Sequence, residues 1–157
     1  MPSYDSLSNT AAWFQKAVPH PNLKNLHTQL GCHFEEVAEM LNALYGNDNE
    51  TSQLLIEAEL IMVNLAKHLK GGTNLIRHHP DTVDRANLLD ALCDQIVTAV
   101  GVGHMLKLCV SDGMNAVNAS NWSKFVNGPR GLEPVFDENQ KIQKGSGYFK
   151  ADLTPFV

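Results

Sequence analysis

The sequence predicts an all-α fold: a helical bundle of about four to five helices, oligomeric, with a short C-terminal hairpin or loop segment. Apolar residues recur at helical spacing through most of the chain, as in Phe34, Val37, Ala38, Leu41, Leu44 and Tyr45. Polar and Gly/Pro clusters cut the chain into helix-sized pieces. Only the last thirty residues change character, with a strand-like stretch and closely spaced glycines.

The elements follow in order. A first helix over about Leu7–Val18 is anchored by Trp13 and Phe14 and stopped by Pro19-His20-Pro21. A second runs from Leu23 or Lys24 to Tyr45, with Gly31 as the place for a kink, and Gly46–Asn49 turns the chain. A third covers Glu50–Lys70 and ends at Gly71-Gly72. It is apolar on most sides, which predicts burial in a bundle or at a subunit interface. Asn74–Pro80 reads as a loop. A fourth helix covers Asp81–Val110, Ser111-Asp112-Gly113 breaks it, and a fifth covers Met114–Val126. Gly128–Gly131 is a loop, and Pro134–Lys144 a small hairpin turning at Asp137–Gln140. Gly145 and Gly147, beside Lys144 and Tyr148, suit either a backbone closing on a ligand or a flexible tail.

Composition bounds the function. A chain of 157 residues with 43% hydrophobic residues suits one domain, residues 1–157, with a proper core. A net charge of −5 argues against a nucleic-acid footprint, which needs a basic patch. The three cysteines (Cys32, Cys93, Cys109) form no C-x-x-C pair and read as reduced thiols of a cytoplasmic protein. The N-terminus lacks the basic and apolar regions of a signal peptide. The 86–110 run is long enough to span a membrane, but Asp90 and Asp94 at its centre speak against that.

Five carboxylates carry the chemistry. Glu35, Glu36 and Glu39 fall within an arc of roughly 100° on the second helix. They read either as a solvated face or as one wall of a metal site. Asp90 and Asp94 share a face of the fourth helix. That helix is apolar enough to predict burial nearly all round. A buried carboxylate must be paired or metal-bound, with Arg85 or Lys67 as alternative partners. Two acidic faces brought together repel unless a cation lies between them. Hard oxygen ligands suit Mg²⁺ or Mn²⁺, and the expected cargo is phosphate. On the fifth helix Asn118, Asn121 and Lys124 follow at three-residue spacing, so that two amides and an ammonium share an edge; it reads either as a polar helix face with Val117 and Phe125 packed beneath or, near a carboxylate cluster, as a place for phosphate.

Four ordered segments then carry a resemblance: QLGCHFEEVAEML (29–41), DALCD (90–94), VNASNWSKF (117–125) and KGSGYFKADL (144–153). Together they resemble the all-α nucleoside triphosphate pyrophosphohydrolases, the MazG-like and phosphoribosyl-ATP-pyrophosphohydrolase-like superfamily, over about residues 10–153. The resemblance implies a helical bundle, a homodimer or homotetramer, and Mg²⁺-dependent cleavage of a nucleoside triphosphate to monophosphate and pyrophosphate, with Mn²⁺ as a possible substitute.

Carried over by position, Glu35, Glu36, Glu39 and Asp94 match the family's acidic residues. Its second element is usually Glu-x-x-Asp, and Ala91 stands where that glutamate would be; Asp90, one turn before Asp94, is the candidate replacement. Asn118, Asn121 and Lys124 match the Asn–Lys element, with Ala116 where an acidic residue often precedes it. Lys144 and Tyr148 match the ends of a Lys-Gly-Pro-Asn-Tyr element. The implied roles are metal ligation by Glu35, Glu36, Glu39, Asp90 and Asp94, and general-base work by Glu36 or Glu39. Asn118, Asn121, Lys124, Lys144 and Tyr148 would hold phosphate. His33 and Trp122, with Trp13 and Phe14, could stack on a base or pack in a core. Two other classes are a non-catalytic helical module binding nucleotide or partner, and a carboxylate-bridged redox di-metal protein; the Glu-x-x-His pairs of the latter are absent.

Overall fold

The computed structural model describes residues 5–76 and 82–157, with backbone alone at 82 and 83. The architecture is all-α, with five helices among the described residues: α1 Ser6–Ala17, α2 Leu23–Asn42, α3 Asn49–Gly71, α4 Thr82–Met105 and α5 Val110–Trp122. A two-stranded sheet follows, β1 Val126–Gly128 and β2 Gly131–Glu133, and a 3₁₀ turn at Thr154–Phe156. The chain divides into two compact units. One holds α2, α3 and residues 136–141; the other holds α1, α4, α5, the sheet and the C-terminus. Residues 77–80 of the expected loop and the expected first residue of the fourth helix, Asp81, lie outside the described residues.

In the α2–α3 unit each helix begins on a side-chain cap. Asn22 and Asn25 exchange side-chain-to-backbone hydrogen bonds (2.9 and 3.0 Å), which satisfies two otherwise orphaned donors. Asp48 accepts from Thr51 N at 2.7 Å. The two helices pack as an antiparallel hairpin. α2 runs through Gly31 without a break, and at Gly31 it lies close against α3. A Cβ there would lie 2.6 Å from Lys70 Cγ and 2.8 Å from the Ala66 carbonyl oxygen. At the far end of α3, Lys24 Nζ donates to the Lys70 carbonyl, capping the negative pole of the helix. His27 is fully buried. Its Nδ1 lies 2.6 Å from the Leu23 carbonyl oxygen, and its Nε2 accepts from Leu75 N (2.9 Å) and Ile76 N (3.0 Å). One imidazole thus pins the segment after α3. The 136–141 turn is tied to α2 by Thr28 Oγ1, which donates to the Asn139 carbonyl at 2.6 Å, and by Asn25 Nδ2, which donates to Gln140 at 2.8 Å.

In the second unit α1 packs along α5, starting from the Asp5 cap on Ser8 N (2.9 Å). The core is Trp13, Ala17 and Phe125, with Val18, Trp122 and Ile142 against it. Polar rungs flank it. Ser6 Oγ donates to Asn115 (2.6 Å), Trp13 Nε1 to the Asn121 carbonyl (2.8 Å) and Trp122 Nε1 to Asn9 (2.8 Å). β1 and β2 pair with Val126 opposite Glu133, and Gly131 takes φ +95° at their turn. These strands flank the Gly128–Gly131 stretch read from sequence as a plain loop. The expected 134–144 hairpin turns at Asp137–Gln140, where Asp137 N donates to the Lys141 carbonyl at 2.9 Å, but no extended ladder forms there.

Two expectations about α4 are corrected. Its end and the start of α5 fall earlier than the sequence suggests. Leu108 N bonds to the Gly103 carbonyl (2.9 Å) and Lys107 N to the His104 carbonyl (3.1 Å), with Lys107 at φ 61°. That is a Schellman stop with lysine, not glycine, in the left-handed position. α5 then runs through Ser111-Asp112-Gly113, where Asp112 sits favourably in its first turn. Second, α4 is not buried: every described side chain from residue 84 to residue 100 is exposed. Leu88, Leu89, Ile96 and Val97 are between 48% and 67% accessible. Part of α3's apolar surface, Leu54, Ile56, Leu60 and Ile61, is also exposed. Among the described residues no single helix is long and apolar enough to cross a membrane.

Candidate functional site

The acidic face of α2 opens onto a cleft of about 680 Å³ in the α2–α3 unit, within the usual size of small-molecule sites. Glu35, Glu39 and Asn42 line it from α2, Glu59, Val63, Lys67 and Lys70 from α3, and Asn139 from the 136–141 turn. Helical spacing explains the set: residues 35, 39 and 42 recur on one side of α2, and 59, 63, 67 and 70 on one side of α3. Glu36, one residue on from Glu35, points roughly 100° away; it is exposed and does not line the cleft.

Charge in the cleft is mixed. The Glu35 carboxylate is ion-paired with Lys70 and, at 3.3 Å, with Lys141. The Lys70 hydrogen bond holds the Glu35 carboxyl below the usual carboxylate range, against the opposing effect of burial. Burial pulls the Lys141 ammonium down, but Cys32 and Glu35 more than offset it, and the net shift is upward. Burial raises the Cys32 thiol. Across the cleft, Asn42 Nδ2 donates to Glu59 Oε1 at 3.0 Å.

A second predicted constellation forms in the other unit. Gly145 N donates to the Lys124 carbonyl (3.1 Å), Ser120 Oγ to the Phe149 carbonyl (2.8 Å), and Phe149 N to Ser123 Oγ (3.0 Å). The 144–149 turn is thereby stitched to the end of α5, which brings the Asn121–Lys124 edge beside the turn that carries Lys144 and Tyr148. A Cβ at Gly145 would lie 2.6 Å from the Lys124 carbonyl oxygen, so the contact requires glycine. Lys124 Nζ donates to Asn121 Oδ1 at 2.7 Å and lies 5.8 Å from the Trp13 ring centroid. Lys144 Nζ lies 4.8 Å from the Tyr148 ring centroid.

Other sequence-predicted residues do different work. Asn118 is buried, donating to the Ser6 carbonyl and accepting from Thr10 Oγ1, both at 2.9 Å. It is a strut between α1 and α5. Trp122 is half-buried against Phe125, with ring centroids 5.4 Å apart, and belongs to the core. Trp13 is core as well. His33 is half-buried, edge-on to Phe34. Asp90 and Asp94 are exposed on α4, which belongs to the other unit from the three glutamates.

These residues do not fit a bound Mg²⁺ as they stand. Glu35 is neutralised by two ammonium groups, and among the described residues no group of three or more His, Cys, Asp or Glu side chains is placed to hold a metal ion. Sequence reasoning missed Lys70, Lys141 and Glu59. Glu59 and Lys70 fall three to four residues from Val63 and Lys67 in the α3 register, a signal hidden by the helix's apolar breadth. Comparison with family models, with curated proteins and with solved structures found no match.

Proposed function

We propose that the chain hydrolyses a nucleoside triphosphate, non-canonical or a deoxynucleotide such as dUTP, to the monophosphate and pyrophosphate. The observation that carries this is the cleft, in which acidic residues of α2 and α3 stand beside Lys67 and Lys70. A triphosphate needs cations near its oxygens and a carboxylate to take the proton of the attacking water. Of the two general-base candidates, the cleft favours Glu39 over Glu36. Water attacks a phosphorus, the P–O–P bond breaks with pyrophosphate leaving, and the water proton passes to Glu39. Whatever ion accompanies the nucleotide, the chain's own part is to orient that water and to neutralise phosphate charge. The Lys124, Lys144 and Tyr148 corner is a second cationic place for phosphate.

A panel of canonical and modified NTPs and dNTPs, each with Mg²⁺ and with Mn²⁺, tests this by scoring monophosphate and pyrophosphate separately. Equal release of both from at least one nucleotide is expected. The alternative, nucleotide binding without turnover, is favoured by the double engagement of Glu35 and by Ala91. Saturable binding with no product would select it.

A further inference from the structure

We propose that Asn42 and Glu59 select the base of the nucleotide and that the base they select is guanine. This selectivity rests on the nucleotide reading of the α2–α3 cleft and narrows it. Charge along the cleft is ordered. α2 and α3 run antiparallel, so Glu35 stands level with the Lys70 ammonium and Asn42 with Glu59. Lys67 and Lys70 line one end, where Lys141 also reaches Glu35. Asn42 and Glu59 line the other, about 10 Å from Glu35 along α2 at the rise of a helix. Glu39 lies between them. Phosphate oxygens are attracted to the ammonium groups and repelled by the Glu59 carboxylate. A nucleotide in the cleft therefore points its phosphates toward Lys67 and Lys70 and its base toward Asn42 and Glu59.

Hydrogen bonding fixes what that end can read. Asn42 Nδ2 donates to Glu59 Oε1 at 3.0 Å. Charge orients the amide, because its oxygen would be repelled if it faced the carboxylate. Glu59 is half-buried and has no ion-pair partner among the described residues. Its second oxygen can still accept, and Asn42 keeps a second N–H. The pair thus sets a charged acceptor beside a donor. The Watson–Crick edge of guanine is the complement: N1–H and the N2 amino group donate side by side, and O6 next to them accepts. Uracil places one N–H between two carbonyl oxygens, so the carboxylate would meet an acceptor. Cytosine and adenine set a single amino group beside an unprotonated ring nitrogen, with the same conflict. Two adjacent donors on one carboxylate make charge-assisted bonds, the stronger kind.

Calorimetric titration of the full chain with α,β-imido-dGTP and α,β-imido-dUTP, each with Mg²⁺, tests this without turnover, since neither analogue can be cleaved between its α- and β-phosphates. The wild type is expected to bind the guanine analogue about tenfold or more tightly than the uracil analogue. Glu59→Gln should weaken the guanine analogue alone and bring the two affinities within about threefold, with unchanged helical circular dichroism. Glu57→Gln, on α3 outside the cleft, should keep the preference. Equal affinities in the wild type, a preference for uracil, or a guanine preference that survives Glu59→Gln overturns the proposal, as does failure of both analogues to bind. Pyrophosphate release from nucleotides with no base preference would refute the selectivity and leave the hydrolysis standing. Guanine-selective binding with no product from dGTP would do the reverse.

Discussion

The Glu35 carboxylate of α2 and the Lys70 ammonium of α3, both lining the cleft, are ion-paired, with Lys141 as a second partner. The pair fixes how α2 and α3 share their polar side, and its pH dependence follows from its sign. Glu35 is depressed in the folded state, so its contribution is fully present above the ordinary carboxylate range and is lost as pH falls through the folded value. Because Glu35 is 41% exposed, the contribution stays below about 1 kcal/mol. Thermal melts of wild type and Glu35→Gln from pH 7 down to pH 3 are expected to converge at the acid end. A difference that grows on acidification contradicts the pairing.

His27 is fully buried in the α2–α3 unit and engaged at both ring nitrogens. Replacing it with Leu leaves the amides of Leu75 and Ile76 without their acceptor. The expected cost is about 2–3 kcal/mol in urea unfolding. Faster hydrogen exchange at those two amides locates the effect; unchanged exchange there would count against the contact.

Two glycines should respond oppositely to alanine. Gly31→Ala places a Cβ against the Ala66 carbonyl and Lys70, and overpacking of about 1–3 kcal/mol exceeds the gain in helix propensity of about 1 kcal/mol. At Gly101, inside α4, an added Cβ meets nothing within 4 Å, so Gly101→Ala should stabilise by about 0.5–1 kcal/mol. Parallel melts of the two variants read both signs.

Asn118 and Lys124 share one helix but should separate cleanly. Asn118→Ala removes a buried amide bonded at both ends and is expected to cost about 1–3 kcal/mol of stability. Lys124→Ala should leave the melt within about 0.5 kcal/mol and raise the KM for nucleotide several-fold. Unfolding curves beside steady-state kinetics distinguish them.

Helix number, order and type were legible because amphipathic spacing and polar punctuation agree over most of the chain. The α4 boundary was not, since Lys107 occupies a backbone position that sequence associates with glycine. The exposure of α4 was not either: an apolar helix reads as buried whether its cover comes from its own chain or from another. At the site, the outward face of Glu35 and Glu39 was legible from spacing alone. The lysines facing Glu35 were not, because Lys70 and Lys141 reach it from α3 and from the 136–141 turn, far away in sequence. Asn118 looks like surface chemistry in sequence and turns inward because α1 packs along α5, whereas Trp122, open in sequence between a base and a core, packs against the core.

Glu39, which lines the cleft, is the proposed general base for hydrolysis of a nucleoside triphosphate. The most direct measurement compares pyrophosphate release by wild type and by Glu39→Gln on the same nucleotide, with helical circular dichroism recorded for both. Pyrophosphate equal to monophosphate is expected from the wild type, with a loss of about 100-fold or more in kcat in the folded variant. No pyrophosphate from the wild type, or equal release from both proteins, would contradict it.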